Sequence, residues 1–234
     1  MNFFYAPDCK IKQVVELEEN ESRHCIAVLR AGVGEKIHLT DGRGVLCSAT
    51  ISRIQKKYVQ VEINERQEGY GMLPYALHIA IAPTKQMDRL EWFVEKATEI
   101  GITSITPLIT EHSERKQVRI DRLEKVAIAA MKQSLKTEKP AIHNLVKFDE
   151  FMHQQISSKV FIAHCQYSVS TILFDKINRG GDITVLIGPE GDFSKAEIAM
   201  ALKKGVKEIS LGNSRLRTET AGIVACHSVA VKNL

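Results

Sequence analysis

The sequence predicts an α/β protein built on a mostly parallel sheet, preceded by a small strand-rich barrel or sandwich. Three observations carry this expectation. Residues 1–66 hold short runs of β-branched and aromatic residues joined by turn chemistry. From residue 77 onward strand-like and helix-like segments alternate, the pattern of a parallel sheet covered on both faces. Near the C terminus two loop segments, IGPEGDFSKAEI at 187–198 and LGNSRLRTETAG at 211–222, each lead from a strand-like run into a helix.

In the first region FFYA (3–6), CIAVLR (25–30), KIHLTDG (36–42), GVLCSATI (44–51) and YVQVEI (58–63) read as strands. Asp41, Gly42, Arg43 and Gly44 supply one turn, and Lys56 with Lys57 a corner. QEGYGMLPY at 67–75, with two glycines and a proline, suits a linker. LHIAIA (77–82) then reads as a strand. MDRLEWFVEKATEIG (87–101) places Leu90, Phe93, Val94, Ala97 and Ile100 at helical spacing, with Asp88 and Glu91 spaced as a capping box and Gly101 as a stop. Trp92 and Phe93 on this helix read as core. ITSITPLIT (102–110) is a strand, IDRLEKVAIAAMKQSLK (120–136) a helix, VFIAHC (160–165) a strand, VSTILFDKI (169–177) a helix and ITVLIG (183–188) a strand. Ser194 and Glu197 have capping-box spacing and start the next helix. KKGVKEISLG (203–212) adds a last strand, and a final helix opens at Arg217, Thr218, Glu219 and Thr220.

Composition narrows the class. A chain of 234 residues, 44% hydrophobic, has material for one large or two small domains with a real core. No apolar run approaches the roughly 20 residues of a membrane span, and the N-terminal segment lacks the layout of a signal peptide. A cytoplasmic protein with no membrane partner is expected. The five cysteines are scattered without a C-x-x-C pair, so they read as reduced and mostly buried. His24, His112, His143 and His227 are dispersed, and His164 beside Cys165 sits on a strand where adjacent side chains face opposite ways; no metal site is expected. The net charge of +4 is compatible with a polyanionic partner. G-x-S-x-G, Walker, H-E-x-x-H and G-x-G-x-x-G patterns are missing from the sequence, which removes the hydrolase, P-loop and Rossmann readings.

The two tail loops describe a pocket for a polar cofactor. Gly188, Pro189, Glu190 and Gly191 form a turn with little side-chain bulk, which lets backbone amides approach a ligand closely. Leu211 and Gly212 end a strand before a helix start rich in hydrogen-bonding groups. Ligands of open α/β sheets bind beyond the carboxyl ends of the strands, where both loops lie.

GPEG followed by a helix, then LG-x-x-x-LR-T-E-T-A opening the last helix, resembles the cofactor half of the RsmE family, the ribosomal RNA uridine-N3 methyltransferases of the SPOUT superfamily. His24 with Val28-Leu29-Arg30, the turn at Asp41, Lys85 with Asp88, Arg89, Leu90 and Glu91, the Lys96 to Ile102 run, and Gln133-Ser134 match that family's pattern in order. The resemblance covers nearly the whole chain. It implies a PUA-like β-barrel RNA-binding domain at 1–70 and a SPOUT methyltransferase domain at 71–234, an α/β parallel sheet whose last third forms a trefoil knot. It implies S-adenosylmethionine as cofactor, held by Leu186, Gly188, Pro189, Glu190, Gly191, Leu211, Gly212, Leu216, Arg217 and Thr220. It also implies a homodimer acting on 16S rRNA in the small ribosomal subunit. Where the family often has an arginine, this chain has Lys136, and the commoner Gly-Pro-Arg becomes Gly212-Asn213-Ser214.

Chemistry agrees with that implication. Adenine and ribose need backbone donors and acceptors beside an apolar slot, whereas a phosphate cradle would want a lysine, and neither loop turn holds one. Methylation at uracil N3 requires loss of a weakly acidic imide proton, leaving charge on the flanking carbonyl oxygens. Arg217 is the expected catalytic donor to that charge, and Glu219 or Glu190 the group that orients it or takes a proton. Arg23, Arg30, Lys85, Arg89 and Lys136 are the expected RNA contacts. Two alternatives are a SPOUT enzyme methylating a ribose 2'-hydroxyl of RNA and a non-catalytic RNA-binding protein of ribosome assembly.

Overall fold

The computed structural model describes residues 2–154, 159–166 and 171–234. The chain divides into two compact units, Met1–Met72 with Ile128–Lys139, and Leu73–Ala127 with Pro140–Leu234.

The first unit is a curled sheet in the order β1-β3-β4-β5-β2, from β1 (Phe3–Tyr5), β2 (Val14–Glu16), β3 (Lys36–Thr40), β4 (Val45–Ile54) and β5 (Val59–Glu68). Register shifts at Ser48/Ala49 and Ile51/Arg53 bend the long β4–β5 pair. Alternate residues point inward: Ile37 and Leu39, then Cys47, Ala49 and Ile51, then Val59, Val61 and Ile63 are all buried in one cluster with Phe4 and Leu17. In the turn before β4, the Asp41 carboxylate accepts the amides of Arg43 (2.8 Å) and Val45 (3.2 Å). The segment 25–30 expected as a strand is helical instead, α1 (Glu19–Arg23) running into a wide π turn at His24–Val28. Its apolar residues do not alternate in burial, since Cys25 is buried while Ala27, which would share its face in a strand, is exposed, so no sheet face claims them. Ile128–Lys139 lies against the same turn: the amides of Gly44 and Lys139 bond the carbonyls of Thr137 and Gly42, both at 2.9 Å.

The second unit is a parallel sheet in the order β12-β10-β11-β6-β7-β8, with β9 also pairing β7. Its strands are β6 (Ala76–Ile81), β7 (Ser104–Ile109), β8 (Ala141–Ile142), β9 (Val146–Lys147), β10 (Lys159–Ala163), β11 (Asp182–Ile187) and β12 (Lys207–Ile209). Period-two burial sends Ile79, Ile81, Val185 and Ile187 to one face, under α2 (Met87–Ile100) and, near the C terminus, α7 (Thr218–Lys232). Ala80 and Leu186 go to the other, under α4 (Phe148–His153) and α6 (Lys195–Lys203). Strands buried on both faces read as continuous apolar runs, which is why LHIAIA and ITVLIG were legible. The helix α3 (Ile120–Gln133) contributes Leu123 and Ala127 to this core.

Helix boundaries tested the capping arguments. Ser194 caps α6 with the expected box: its amide donates to Glu197 at 2.8 Å and its hydroxyl accepts the Glu197 amide at 3.3 Å. The box expected at Asp88 and Glu91 does not form. The N-cap of α2 is Gln86, and Glu91 instead pairs with Arg122 at 2.6 Å, a stronger claim on the carboxylate. Gly101 ends α2 as expected. Of the helix expected at 169–177, α5 (Leu173–Lys176) is present and residues 169–170 lie outside the described residues. Four cysteines are buried and Cys165 is exposed, all of them free thiols.

Candidate active site

Strands β10, β11 and β12 are adjacent and parallel, so the loops following them emerge at one edge. They enclose a cleft of about 800 Å³, within the roughly 300–1,000 Å³ range of small-molecule sites. Its walls come from residues 163–166, 187–192 and 209–216, closed by Thr218 and Ala221.

The first loop is held from several sides. Thr218 at the start of α7 donates its hydroxyl to the Gly188 carbonyl at 3.0 Å, in a buried position. Asp192 adopts a φ of 63°, and its carboxylate accepts the amides of Phe193 and Cys165, both at 2.8 Å. His112 donates Nδ1–H to the carbonyls of Gly191 and Asp192, each 3.0 Å away, and the Asp192 carbonyl most of all raises its pKa. The amide of Lys85 bonds Glu190 Oε1 at 3.2 Å. A side chain at Gly188 would press on Phe193, 3.1 Å from where its Cβ would stand. In the second loop Gly212 has a φ of 124°, reachable without strain only by glycine.

Gly188, Pro189, Glu190, Gly191, Leu211, Gly212 and Leu216 therefore line this cleft. Leu186 does not; it is fully buried beneath, where the period of β11 turns it into the opposite core. Arg217 and Thr220 face a second cleft of about 630 Å³, formed with Asp88, Arg89, Trp92, Arg215, Leu216 and Glu219. The two clefts share Arg215 and Leu216. Arg217 is exposed and Glu219 is 7% exposed. Glu219 does not pair with Arg217 but stands 3.9 Å from Arg89 Nε.

The basic residues expected to meet RNA separate into classes. Arg23, exposed, donates to Asn20 at 3.1 Å, Arg30 is exposed at a φ of 53°, and Lys136 is half-buried just beyond α3; all three belong to the first unit. Lys85 is exposed and pairs with Glu114 at 3.0 Å. Arg89 is turned into the second cleft, beside a carboxylate rather than on an open basic face. Trp92, expected as core, is 43% exposed, while Phe93 is fully buried.

The wall at 163–166 is a part of the site that the sequence does not announce, His164 reading there as a plain strand end. His164 Nε2 sits 2.9 Å from Glu208 Oε1, tying the ends of β10 and β12 beneath the cleft. The signal available was that VFIAHC is a third strand with its carboxyl end at this edge. Among the described residues no cluster of three or more His, Cys, Asp or Glu side chains could hold a metal, and no helix is long and apolar enough to cross a membrane.

The cofactor implied by the resemblance fits the donor set. No lysine lines the first cleft, residues 188–191 and 210–214 border it, and Ile187, Ile209, Leu211, Leu216 and Ala221 give it an apolar side. Glu190 and Asp192 put carboxylates at its rim, suited to a positively charged ligand.

Comparison with known proteins agrees at both levels. The family model of an RNA methyltransferase domain matches residues 72–230, and that of an RNA methyltransferase PUA domain matches 17–64. The chain is 32% identical to the ribosomal RNA small subunit methyltransferase E of Rickettsia conorii, over 92% of this chain and 88% of that one. A crystal structure of a probable rRNA-methyltransferase from Porphyromonas gingivalis superposes with a TM-score of 0.92 at 38% identity, covering 100% of this chain and 98% of the other. A ribosomal RNA small subunit methyltransferase E from Neisseria gonorrhoeae, bound to S-adenosyl methionine, superposes with a TM-score of 0.87 at 28% identity, covering 99% and 97%. With both domain models matched and whole-length relatives of one name, this chain belongs to the ribosomal RNA small subunit methyltransferase E family.

Proposed function

We propose that this protein transfers a methyl group from S-adenosylmethionine to N3 of one uridine of 16S rRNA in the small ribosomal subunit, acting in the cytoplasm as a homodimer. One observation carries the reading: a lysine-free cleft at the carboxyl ends of three adjacent parallel strands adjoins a second cleft holding Arg217 and Glu219. The names of the relatives support the substrate, and the S-adenosyl methionine in the Neisseria structure supports the cofactor. The knotted course implied by the resemblance belongs to the same reading.

Bound in the first cleft, the cofactor supplies a methyl group on a positively charged sulfur. Residues 188–191 and 210–214 would hold its polar atoms, the apolar side its adenine, and Glu190, at the rim, its ammonium. Uracil N3 becomes nucleophilic only when its imide proton leaves. Glu219 accepts that proton, and Arg217 donates to the carbonyl oxygens where the charge collects. Arg23, Arg30, Lys85 and Lys136 meet phosphates and set affinity rather than sequence.

The test is labelled methyl transfer from S-adenosylmethionine to small subunits lacking their N3-methyluridine, followed by nucleoside mass spectrometry. N3-methyluridine at one site is expected. A 2'-O-methylated nucleoside would move the protein to ribose chemistry, and no transfer together with no cofactor binding would make it an RNA-binding protein. Arg217→Ala should lower the transfer rate about 10²–10³-fold with the circular dichroism spectrum unchanged; a near wild-type rate would remove Arg217 from its role.

A further inference from the structure

A concentration of charge lies at the end of the sheet opposite the cofactor cleft. Strands β10 and β12 are parallel neighbours, so Lys159 at the start of one and Lys207 at the start of the other stand at the same amino edge. They also share a face. Lys207 is paired with Phe161, and Phe161 and Ile209 both belong to the core under α7, so alternation puts Lys159 and Lys207 on that side of the sheet. Lys176 from α5 and Lys204 from the turn after α6 join them, and the four exposed lysines line one hollow of about 240 Å³. Among the described residues no carboxylate lines it and none of the four makes an ion pair, and residues 155–158 and 167–170 contain no Asp or Glu. Elsewhere on the surface Lys10, Lys12, Lys85 and Lys96 do have acidic partners. The carbonyl end of α6 accounts for Lys204 through its dipole, but Lys159, Lys176 and Lys207 lie on other elements.

We infer that this hollow seats a phosphate of the rRNA backbone at a point remote from the methylated uridine, through Lys159, Lys176, Lys204 and Lys207. The inference rests on the rRNA substrate proposed above and extends it to a separate surface. Four ammonium groups around one hollow repel one another, and a phosphate placed among them turns that repulsion into attraction. Lysine suits the task, because a point charge holds a phosphate without the fixed orientation that a guanidinium fork imposes. Size narrows the occupant. The hollow falls below the roughly 300–1,000 Å³ of small-molecule sites, which fits one phosphate group of a strand lying across it rather than a whole nucleotide held inside.

The backbone holds the lysines in place. Gly205, between Lys204 and Lys207, has a φ of 84°, and the next amide, that of Val206, donates back to the Ala201 carbonyl at 3.1 Å, so the turn out of α6 has one fixed course. Distance then sets what kind of RNA reaches the hollow. The five residues of β10, at about 3.3 Å each, put roughly 15 Å of sheet between it and the cofactor cleft. A short RNA whose uridine sits at the carboxyl edge ends before the amino edge, whereas the folded rRNA of a small subunit offers further backbone to it. The contact therefore adds affinity and salt dependence, and takes no part in reading sequence or in the chemistry.

The experiment compares wild type with two triple variants, Lys159→Ala with Lys176→Ala and Lys207→Ala, and the same three positions changed to Arg. Affinity for small ribosomal subunits and for a short RNA carrying the target uridine is measured over a salt series, beside methyl transfer and cofactor affinity. On subunits the alanine variant should bind about 10-fold or more weakly, with the slope of log affinity against log salt reduced by about 2–3, and the arginine variant should bind as wild type does. On the short RNA all three proteins should bind alike. KM for subunits should rise with the dissociation constant, while kcat and cofactor affinity stay at wild-type values. Unchanged affinity and slope on subunits, equal weakening on the short RNA, or no restoration by arginine would each overturn the hollow as an rRNA contact and leave the methyltransferase reading in place. If wild type methylates no rRNA, the proposed function fails by itself, and the subunit affinities still decide the hollow.

Discussion

His78 is a half-buried group whose proton the fold refuses. Its ring sits in the sheet of the second unit, Nε2 2.7 Å from Thr106 Oγ1 and Nδ1 3.4 Å from Thr184 Oγ1, with the His143 ring centroid 5.7 Å away. Burial first, and the charge of His143 second, push its pKa down to about 4. With the folded value below the unfolded one, the unfolded chain holds more protons between the two. Stability from this site is therefore complete above about pH 6.5 and falls as pH drops toward 4, by up to about 3 kcal/mol. Urea midpoints measured from pH 7.5 to pH 4.5 should show that decline, and His78→Gln should flatten it; an unchanged slope would reject the assignment. The sequence contained no sign of this, because a histidine inside LHIAIA looks like any polar residue on a strand until its neighbours are in place. The carboxylate at Glu219 was legible as chemistry from its helix-opening position, but its partner was not: Arg89 lies 130 positions earlier, and only the packing of α7 on α2 joins them.

That packing is an element-scale device. A Cβ on Gly222 would stand 2.5 Å from Cε2 of Phe93, which is fully buried and has nowhere to go. Gly222→Ala should thus lose about 1–3 kcal/mol to overpacking, partly offset by about 1 kcal/mol of helix propensity. It should also slow methyl transfer, since shifting α7 moves Glu219 from Arg89; a thermal melt and a rate together check this, and a stabilised, fully active variant would refute it. Thr218→Val removes the hydroxyl that meets the Gly188 carbonyl, costing about 1–3 kcal/mol and weakening cofactor binding more than RNA binding. Titration of each ligand separately decides that prediction. At this scale the sequence was informative where local chemistry decides, as at the Ser194 box and the two loops. It misled where a distant partner outbid the local one, as Arg122 did for Glu91, and where an apolar run at 25–30 had no sheet face to join.

At the scale of the molecule, parallel-sheet alternation and a strand-rich first region were both readable, because runs buried on two faces differ so plainly from alternating ones. The proposed phosphate contacts, spread over the chain, predict salt-sensitive binding: the logarithm of RNA affinity should fall linearly with that of salt concentration. Arg23→Ala and Arg30→Ala should each reduce the slope by about 1, read by binding isotherms over a salt series, while an unaltered slope would place these residues off the RNA. Short, local patterns could not announce that Ile128–Lys139, so far along the chain, belongs with the first unit. On the ribosome, where the chain emerges from its N terminus, the first unit cannot be completed when residue 72 has been made; it must wait until residue 139 has left the exit tunnel. Nascent chains arrested between these two lengths should remain open to protease in the first unit, so the order of synthesis and the order of folding part company in this protein.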